Sequence, residues 1–246
     1  PAKMHLMQRI IFAENMELFL MWNMRILQSY LKKAESGLKM SRTKRPHNIR
    51  RQPPDLIIIV TEGEKTEPNY FRKFPVFTKK VKVIGTGMNT KSLIKETDNI
   101  VQQTIQEYEK EYRTKPNKIV VWCVFDKDSF SDDDFDNAIN MAKTKGYKVA
   151  YSNEAFELWY LLHFHYYDMA LGRTDYNDKL TELLRKKYQK NDMYMYEILL
   201  DKQPTAIMNA KNLMAKYNPV IPSKDNPSTT VYELVEYLNK FIHKFT

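Results

Sequence analysis

Two apolar runs that stop on acids constrain this chain more than any other feature. Leu56-Ile57-Ile58-Ile59-Val60-Thr61 runs into Glu62-Gly63-Glu64-Lys65-Thr66-Glu67, and Ile119-Val120-Val121-Trp122-Cys123-Val124-Phe125 runs into Asp126-Lys127-Asp128. An apolar run without polar alternation suits a strand buried on both faces, as in a parallel sheet. Two such strands in one parallel sheet share a carboxyl edge, so Glu62, Asp126 and Asp128 are expected to meet there. Gly63 lets the backbone turn tightly and approach a ligand. Asp126 and Asp128 point the same way if extended geometry persists past the strand.

The segments between and after these runs alternate strand and helix. The pattern predicts a helix over 68–77, a short strand at 81–84, a turn at Gly85-Thr86-Gly87 and a long helix over 92–112. A helix led by Asp132-Asp133-Asp134 follows, where acids favour the positive end of the macrodipole, and it ends at Gly146. A fourth strand is expected at 147–151. Such alternation signals an α/β, doubly wound, mainly parallel sheet, which binds ligands outside the carboxyl ends of its strands. After Ser152-Asn153 the pattern turns helical, near 155–164, 178–190, 205–217 and 231–243, with Asn226-Pro227-Ser228-Thr229-Thr230 as the cap before the last helix. The expected organisation is an amphipathic helical extension over 1–39, a basic flexible arm over 40–54, an α/β core over 55–152 and a helical extension over 153–246.

Charge is unevenly placed. The net charge is +9, yet residues 55–246 hold 28 basic and 27 acidic side chains. The surplus sits on one arm, where Arg42, Lys44, Arg45, Arg50 and Arg51 follow Lys39 with no acid among them. Three prolines and no apolar period exclude a stable helix there. The arm suits sequence-blind phosphate contacts or serves as a solvated linker. Residues 10–31 are too polar for a membrane span and lack the pattern of a signal peptide. They read as an amphipathic helix that binds a partner or docks on the body. The chain opens on Pro1, and a compact protein is expected to begin near Met40. The single cysteine, Cys123, lies in an apolar run, which leaves no disulfide framework or zinc knuckle and suits a reducing, cytoplasmic setting.

The acids carry the chemistry. Hard oxygen donors with open positions suit Mg²⁺ or Mn²⁺, and an ion so held neutralises a phosphodiester transition state. The plain alternative is a set of solvated loop acids. Glu64 and Glu67 either extend the cluster or cap the next helix. Glu157 either completes a metal site or lies on a helix surface. Lys65 either meets a phosphate or pairs with an acid, and His163 reads as a satisfied core histidine.

Strand–Glu62-Gly63 followed by strand–Asp126-Lys127-Asp128 is similar to the Toprim pattern of topoisomerases, primases and related nucleases. The chain resembles the RloB-like proteins more closely. The shared features are a basic arm before the first strand, Glu62 to Glu67, Pro68-Asn69-Tyr70-Phe71 and Phe125-Asp126-Lys127-Asp128. They continue through Ser152-Asn153-Glu154-Ala155-Phe156-Glu157-Leu158-Trp159, Leu161-Leu162-His163-Phe164 and Asn226-Pro227-Ser228-Thr229-Thr230-Val231. The resemblance covers Met40 to the C-terminus. It implies a Toprim-like sheet, a role in prokaryotic anti-phage (abortive infection) defence and a neighbouring ATPase as partner. It also implies Glu62 as general acid/base or metal ligand, Asp126 and Asp128 as Mg²⁺ ligands, and a functional Glu157.

The expected function is Mg²⁺-dependent cleavage or binding of nucleic acid, with Glu62, Asp126 and Asp128 catalytic. Glu157 joins them as metal ligand, and Arg42, Lys44, Arg45, Arg50, Arg51 and Lys65 lie on the nucleic acid. The competing expectation is a non-catalytic defence subunit that binds an ATPase or nucleic acid, which a near-neutral body favours. A phosphotransfer or sugar-nucleotide enzyme is a third use of Asp-x-Asp, without a nucleotide motif to support it.

Overall fold

A computed structural model describes residues 53–128 and 130–242. The amphipathic helix over 1–39 and the basic residues Arg42, Lys44, Arg45, Arg50 and Arg51 lie outside the described residues. The core is a five-stranded sheet in the order β2-β1-β3-β4-β5. Its strands are β1 (Leu56–Thr61), β2 (Lys80–Gly85), β3 (Ile119–Asp126), β4 (Lys148–Asn153) and β5 (Ser228–Thr229). The first four run parallel, with Leu56 paired to Lys80 and to Ile119, and Trp122 to Lys148. β5 is antiparallel to β4.

The helices are α1 (Thr66–Phe71), α2 (Thr90–Tyr112), α3 (Asp132–Thr144), α4 (Glu157–Leu161), α5 (Arg173–Leu184), α6 (Met195–Leu199), α7 (Gln203–Met214) and α8 (Val231–Asn239). Side chains alternate across the sheet, and each face has its own core. Leu56, Ile58, Val60, Cys123 and Phe125 pack with Leu93, Ile94 and Tyr108 of α2 and with Phe135, Ile139 and Ala142 of α3. Ile57, Ile59, Trp122, Val124 and Ala150 face α1, α4 and the later helices, among them Trp159, Leu213 and Leu234. The continuous apolar runs are thus explained by burial on both faces.

The connections fix where the sheet reverses its winding. After β1 the chain crosses to β2 through α1 on one face. It then returns through α2 on the other face to pair β3 with the opposite edge of β1. The two crossovers leave for opposite edges of β1, which makes the carboxyl ends of β1 and β3 the topological switch point of the sheet.

Four local expectations change. The helix expected over 68–77 stops at Phe71, because Pro75 disfavours helical geometry at Phe74 and has no N–H to continue the ladder. The helix near 178–190 begins earlier, at Arg173, and ends at Leu184, where Arg185 turns left-handed at φ 53°. β4 begins at Lys148 and carries on through Ser152 and Asn153. Asn226–Thr230 is more than a cap. Ser228 and Thr229 extend the sheet, with the Ser152 and Thr229 hydroxyls 3.1 Å apart and both buried. The end of α3 follows expectation, with Gly146 at φ 78° just past the last turn.

Candidate active site

The loops after β1 and β3 are tied together at their first residues. The Glu62 amide donates to the Val124 carbonyl (2.9 Å), so Glu62 continues the β1–β3 pairing by one step. Its Oε2 accepts from the Asp126 amide (3.2 Å) and from the Thr90 hydroxyl (3.3 Å). Thr90 opens α2, whose start is capped by Asn89 accepting from the Ser92 amide at 2.9 Å. A carboxylate is favoured at that helix end. Even so, burial outweighs these bonds and raises the Glu62 pKa from 4.5 to about 6.

The Glu62–Glu64 turn leaves no room for another side chain. A Cβ on Gly63 would lie 2.2 Å from Glu67 Oε2. One on Gly85 would lie 2.8 Å from the Gly63 carbonyl oxygen and 2.8 Å from the Glu64 Cα. The amides of Thr86 and Gly87 donate to the carbonyls of Thr61 (3.1 Å) and Glu62 (2.9 Å). The Gly85-Thr86-Gly87 turn therefore clamps the β1 loop from the side of β2.

Asp126, the last residue of β3, is the most enclosed acid. Its Oδ2 accepts from the Phe156 amide at 3.0 Å, while Oδ1 is buried without a hydrogen-bond partner. Burial, and then the charges of Glu67, Glu157 and Glu62, push its pKa well up. Glu67 is 5% exposed and belongs to the same cluster. Burial, with the charges of Glu157 and Glu62, raises it from 4.5 to about 7, against the pull of the Glu67 and Gly63 amides. Glu67, Tyr70 and Phe71 share one face of α1 at i, i+3 and i+4, and all are buried. That spacing is the signal that separates Glu67 from a helix cap.

Asp128 and Glu157 are held differently. The strand ends at Asp126, and Asp128 takes a left-handed backbone (φ 41°) with its amide on the Glu154 carbonyl at 3.1 Å. Extended geometry does not persist, so the Asp126–Asp128 alternation expected of a strand is lost. Asp128 pairs with Arg173 of α5 at 2.8 Å. Glu157 opens α4 and is 4% exposed, so it is a buried acid rather than one on a helix surface. Its Oε1 accepts from the Tyr188 hydroxyl at 3.2 Å and lies 3.5 Å from Lys190 Nζ. Lys127 points away, pairing with Asp132 at 3.1 Å. Lys65 and Glu64 are exposed beside the cluster. His163 is a core histidine, bonded through Nδ1 to the Trp159 carbonyl at 2.8 Å and pushed down to about 4 by burial.

Five carboxylates thus meet through their charges at the β1/β3 carboxyl edge: Glu62, Glu67 and Glu157 act on Asp126, Glu62 and Glu157 on Glu67, and Asp128 on Glu62. Among the described residues, no group of three or more His, Cys, Asp or Glu side chains is arranged to hold a metal ion. The donor chemistry nevertheless fits a hard divalent cation. The donors are all oxygens, burial and neighbouring carboxylate charges disfavour the ionised forms of Asp126 and Glu67, and Asp126 Oδ1 has no bond to give up. A cavity of about 1040 Å³ lined by Trp122, Lys148, Glu233, Tyr237 and Lys240 lies toward the other end of β4 and holds none of these acids.

Sequence reasoning left Glu67 open between two roles and missed Tyr188 and Arg173, which come from the helical extension. Neither has a local motif; only the packing of residues 173–190 against the sheet edge brings them to Glu157 and Asp128.

A family model described as RloB-like protein matches residues 57–238, from the start of β1 into α8. The matched span includes every acid of the cluster and the residues that hold them. Searches of curated proteins and of solved structures give no match. No helix among the described residues is long and apolar enough to cross a membrane.

Proposed function

The chain belongs to the RloB-like family, and from that premise we propose that it is a Toprim-like, Mg²⁺- or Mn²⁺-dependent nuclease acting in prokaryotic anti-phage defence. The observation that carries the reading is the Asp126 carboxylate. It is buried at the topological switch point beside Glu62, Glu67 and Glu157, with Oδ1 unpartnered. Burying like charges together is costly, and such clusters recur where a cation or a proton is handled.

In this reading Glu62, Asp126 and Asp128 would hold the divalent cation, with Glu157 as a further ligand and Glu67 added to the set. The bound cation supplies Lewis-acid neutralisation of the charge that develops on a phosphodiester. The chain's own groups do the rest. Glu62 serves either as that ligand or, its carboxyl pushed up to about 6 by burial in the metal-free protein, as general acid/base. The Phe156 amide fixes Asp126, and the clamp from Thr86 and Gly87 fixes the Glu62 turn. Arg173 orients Asp128 through their 2.8 Å ion pair.

The test is cleavage of DNA and RNA substrates by purified protein with Mg²⁺, against EDTA and against Asp126→Ala. Cleavage that needs Mg²⁺ and is lost in the variant supports the nuclease. Equal behaviour of the two proteins ends it. A second reading, a non-catalytic subunit that binds a partner ATPase or nucleic acid, is favoured by the partners already on Asp128 and Glu157. Co-purification with the neighbouring ATPase and no Mg²⁺ binding by calorimetry would select it.

A further inference from the structure

We propose that residues 185–194, the connection from α5 to α6, dock a single-stranded nucleic acid and lead it to the carboxylates. The inference rests on the nucleic-acid reading above, and it places the substrate contact in the helical extension rather than on the arm at 42–51.

The need for such a surface follows from the charge of the site. Buried carboxylates repel a phosphodiester strand, and residues 55–246 carry almost no net positive charge to offset this. Attraction has to come from cations beside the cluster. Arg185, Lys186, Lys187 and Lys190 occur within six residues that contain no acid, and all four are exposed. Asp192, which follows, pairs with Lys186 at 2.8 Å.

The connection is anchored to the site at several points. Tyr188 turns inward between the lysines and donates its hydroxyl to Glu157 at 3.2 Å, while its amide bonds Thr181 Oγ1 at 3.1 Å. The Thr66 hydroxyl of α1 donates to the Lys190 carbonyl (2.7 Å), and Asn69 Nδ2 to the Asn191 carbonyl (3.3 Å). Lys190 Nζ reaches to 3.5 Å from Glu157. The cations are therefore carried on backbone that is hydrogen-bonded to α1, with exposed Lys65 one residue before Thr66.

The far end of the connection supplies flat apolar surface. Met193 is 56% and Tyr194 61% exposed, and Lys73 Nζ lies 5.5 Å from the Tyr194 ring centroid. Cations for phosphates beside an exposed ring for an unpaired base are what a single strand needs, and paired bases would hide the stacking face.

The experiment uses the full chain in EDTA, with fluorescently labelled single-stranded DNA and RNA oligonucleotides, titrated by anisotropy at several salt concentrations. Arg185→Glu/Lys187→Glu is expected to weaken binding at least about tenfold. It should also reduce the slope of log affinity against log salt by about 1.4, the loss of two phosphate contacts on a single strand. Tyr194→Ala should weaken binding about fivefold or more at unchanged salt slope. Lys80→Ala, on the flank of the sheet, should leave the affinity unchanged, and thermal melts check that all variants fold. Wild-type affinity in the 185/187 variant overturns the proposal, as does wild-type protein that binds no single strand or binds duplex equally well. Because binding is read without metal, loss of binding in the loop variant stands even if no cleavage is ever seen. Conversely, Mg²⁺-dependent cleavage with an unaffected loop variant removes the docking surface and leaves the nuclease.

Discussion

The acids on the flank of the sheet and the acids at its carboxyl edge are built on opposite principles. On the flank, Lys80 pairs with Glu111 at 2.8 Å, Lys82 with Glu107 at 3.0 Å and Lys91 with Asp134 at 2.7 Å. Asp98 is paired with Lys145 and Tyr147. Hydrogen bonds from these lysines hold Glu111, Asp98 and Asp134 below the usual carboxylate range. At the edge, burial raises Glu62, Glu67 and Asp126 above it. The flank acids are ionised in water at little cost and contribute little. The edge acids oppose folding when ionised, a cost expected where a fold keeps a site for a ligand rather than for its own stability.

The largest effect expected of this contrast is on activity. Asp126→Asn keeps the shape of the site but removes its central charge. It should reduce Mg²⁺-dependent cleavage at least about 100-fold, while metal-free protein melts no lower than the wild type. A variant that cuts normally would equate the edge with the flank. Next, Gly63→Ala should destabilise by about 1–3 kcal/mol in chemical denaturation, since its Cβ would overlap Glu67 Oε2. Much of that loss should return in Gly63→Ala/Glu67→Ala; no recovery would show that another contact governs Gly63.

The two acid populations also predict opposite pH slopes. Glu62 and Glu67 rise from 4.5 in the unfolded chain to about 6 and about 7 in the folded one, so the native state binds their protons more tightly. Their contribution is fully present below 4.5 and is lost as pH rises through 6 to 7, on the order of 2 kcal/mol for Glu62 and 3 kcal/mol for Glu67 in metal-free protein. The flank acids, held low, stabilise above the unfolded carboxylate values and lose this as pH falls. Melts in EDTA should therefore show a maximum near the lower end of the Glu62–Glu67 window. Glu67→Gln should flatten the decline above it, and Mg²⁺ should offset that decline. A melting temperature constant across the window would remove the buried-charge account. The smallest effect belongs to the flank. Lys80→Ala should leave the melting temperature unchanged within error, because its partner Glu111 is solvent-exposed.

How far the site could be read in advance depended on how local each determinant is. Leu56–Thr61 and Ile119–Asp126 declared themselves as buried parallel strands, because covering both faces demands an unbroken apolar run. Their terminal acids then had to share an edge. Asp128 was misplaced in orientation because strand geometry stops at Asp126, and the turn into φ 41° depends on the Glu154 carbonyl from a distant segment. β5 escaped because two polar residues after a proline carry no strand period and pair only once β4 is in place.

The sequence by itself determined the sheet, its doubly wound covering and the placing of Glu62 and Asp126 at neighbouring strand ends, since these follow from apolar period and chain direction. Tertiary structure alone decided which acids are buried together, that Asp126 Oδ1 lacks a partner, that Asp128 is held by Arg173, and that Tyr188 sets a lysine-rich connection against Glu157. Those outcomes depend on contacts between segments far apart in the chain, which no local pattern encodes.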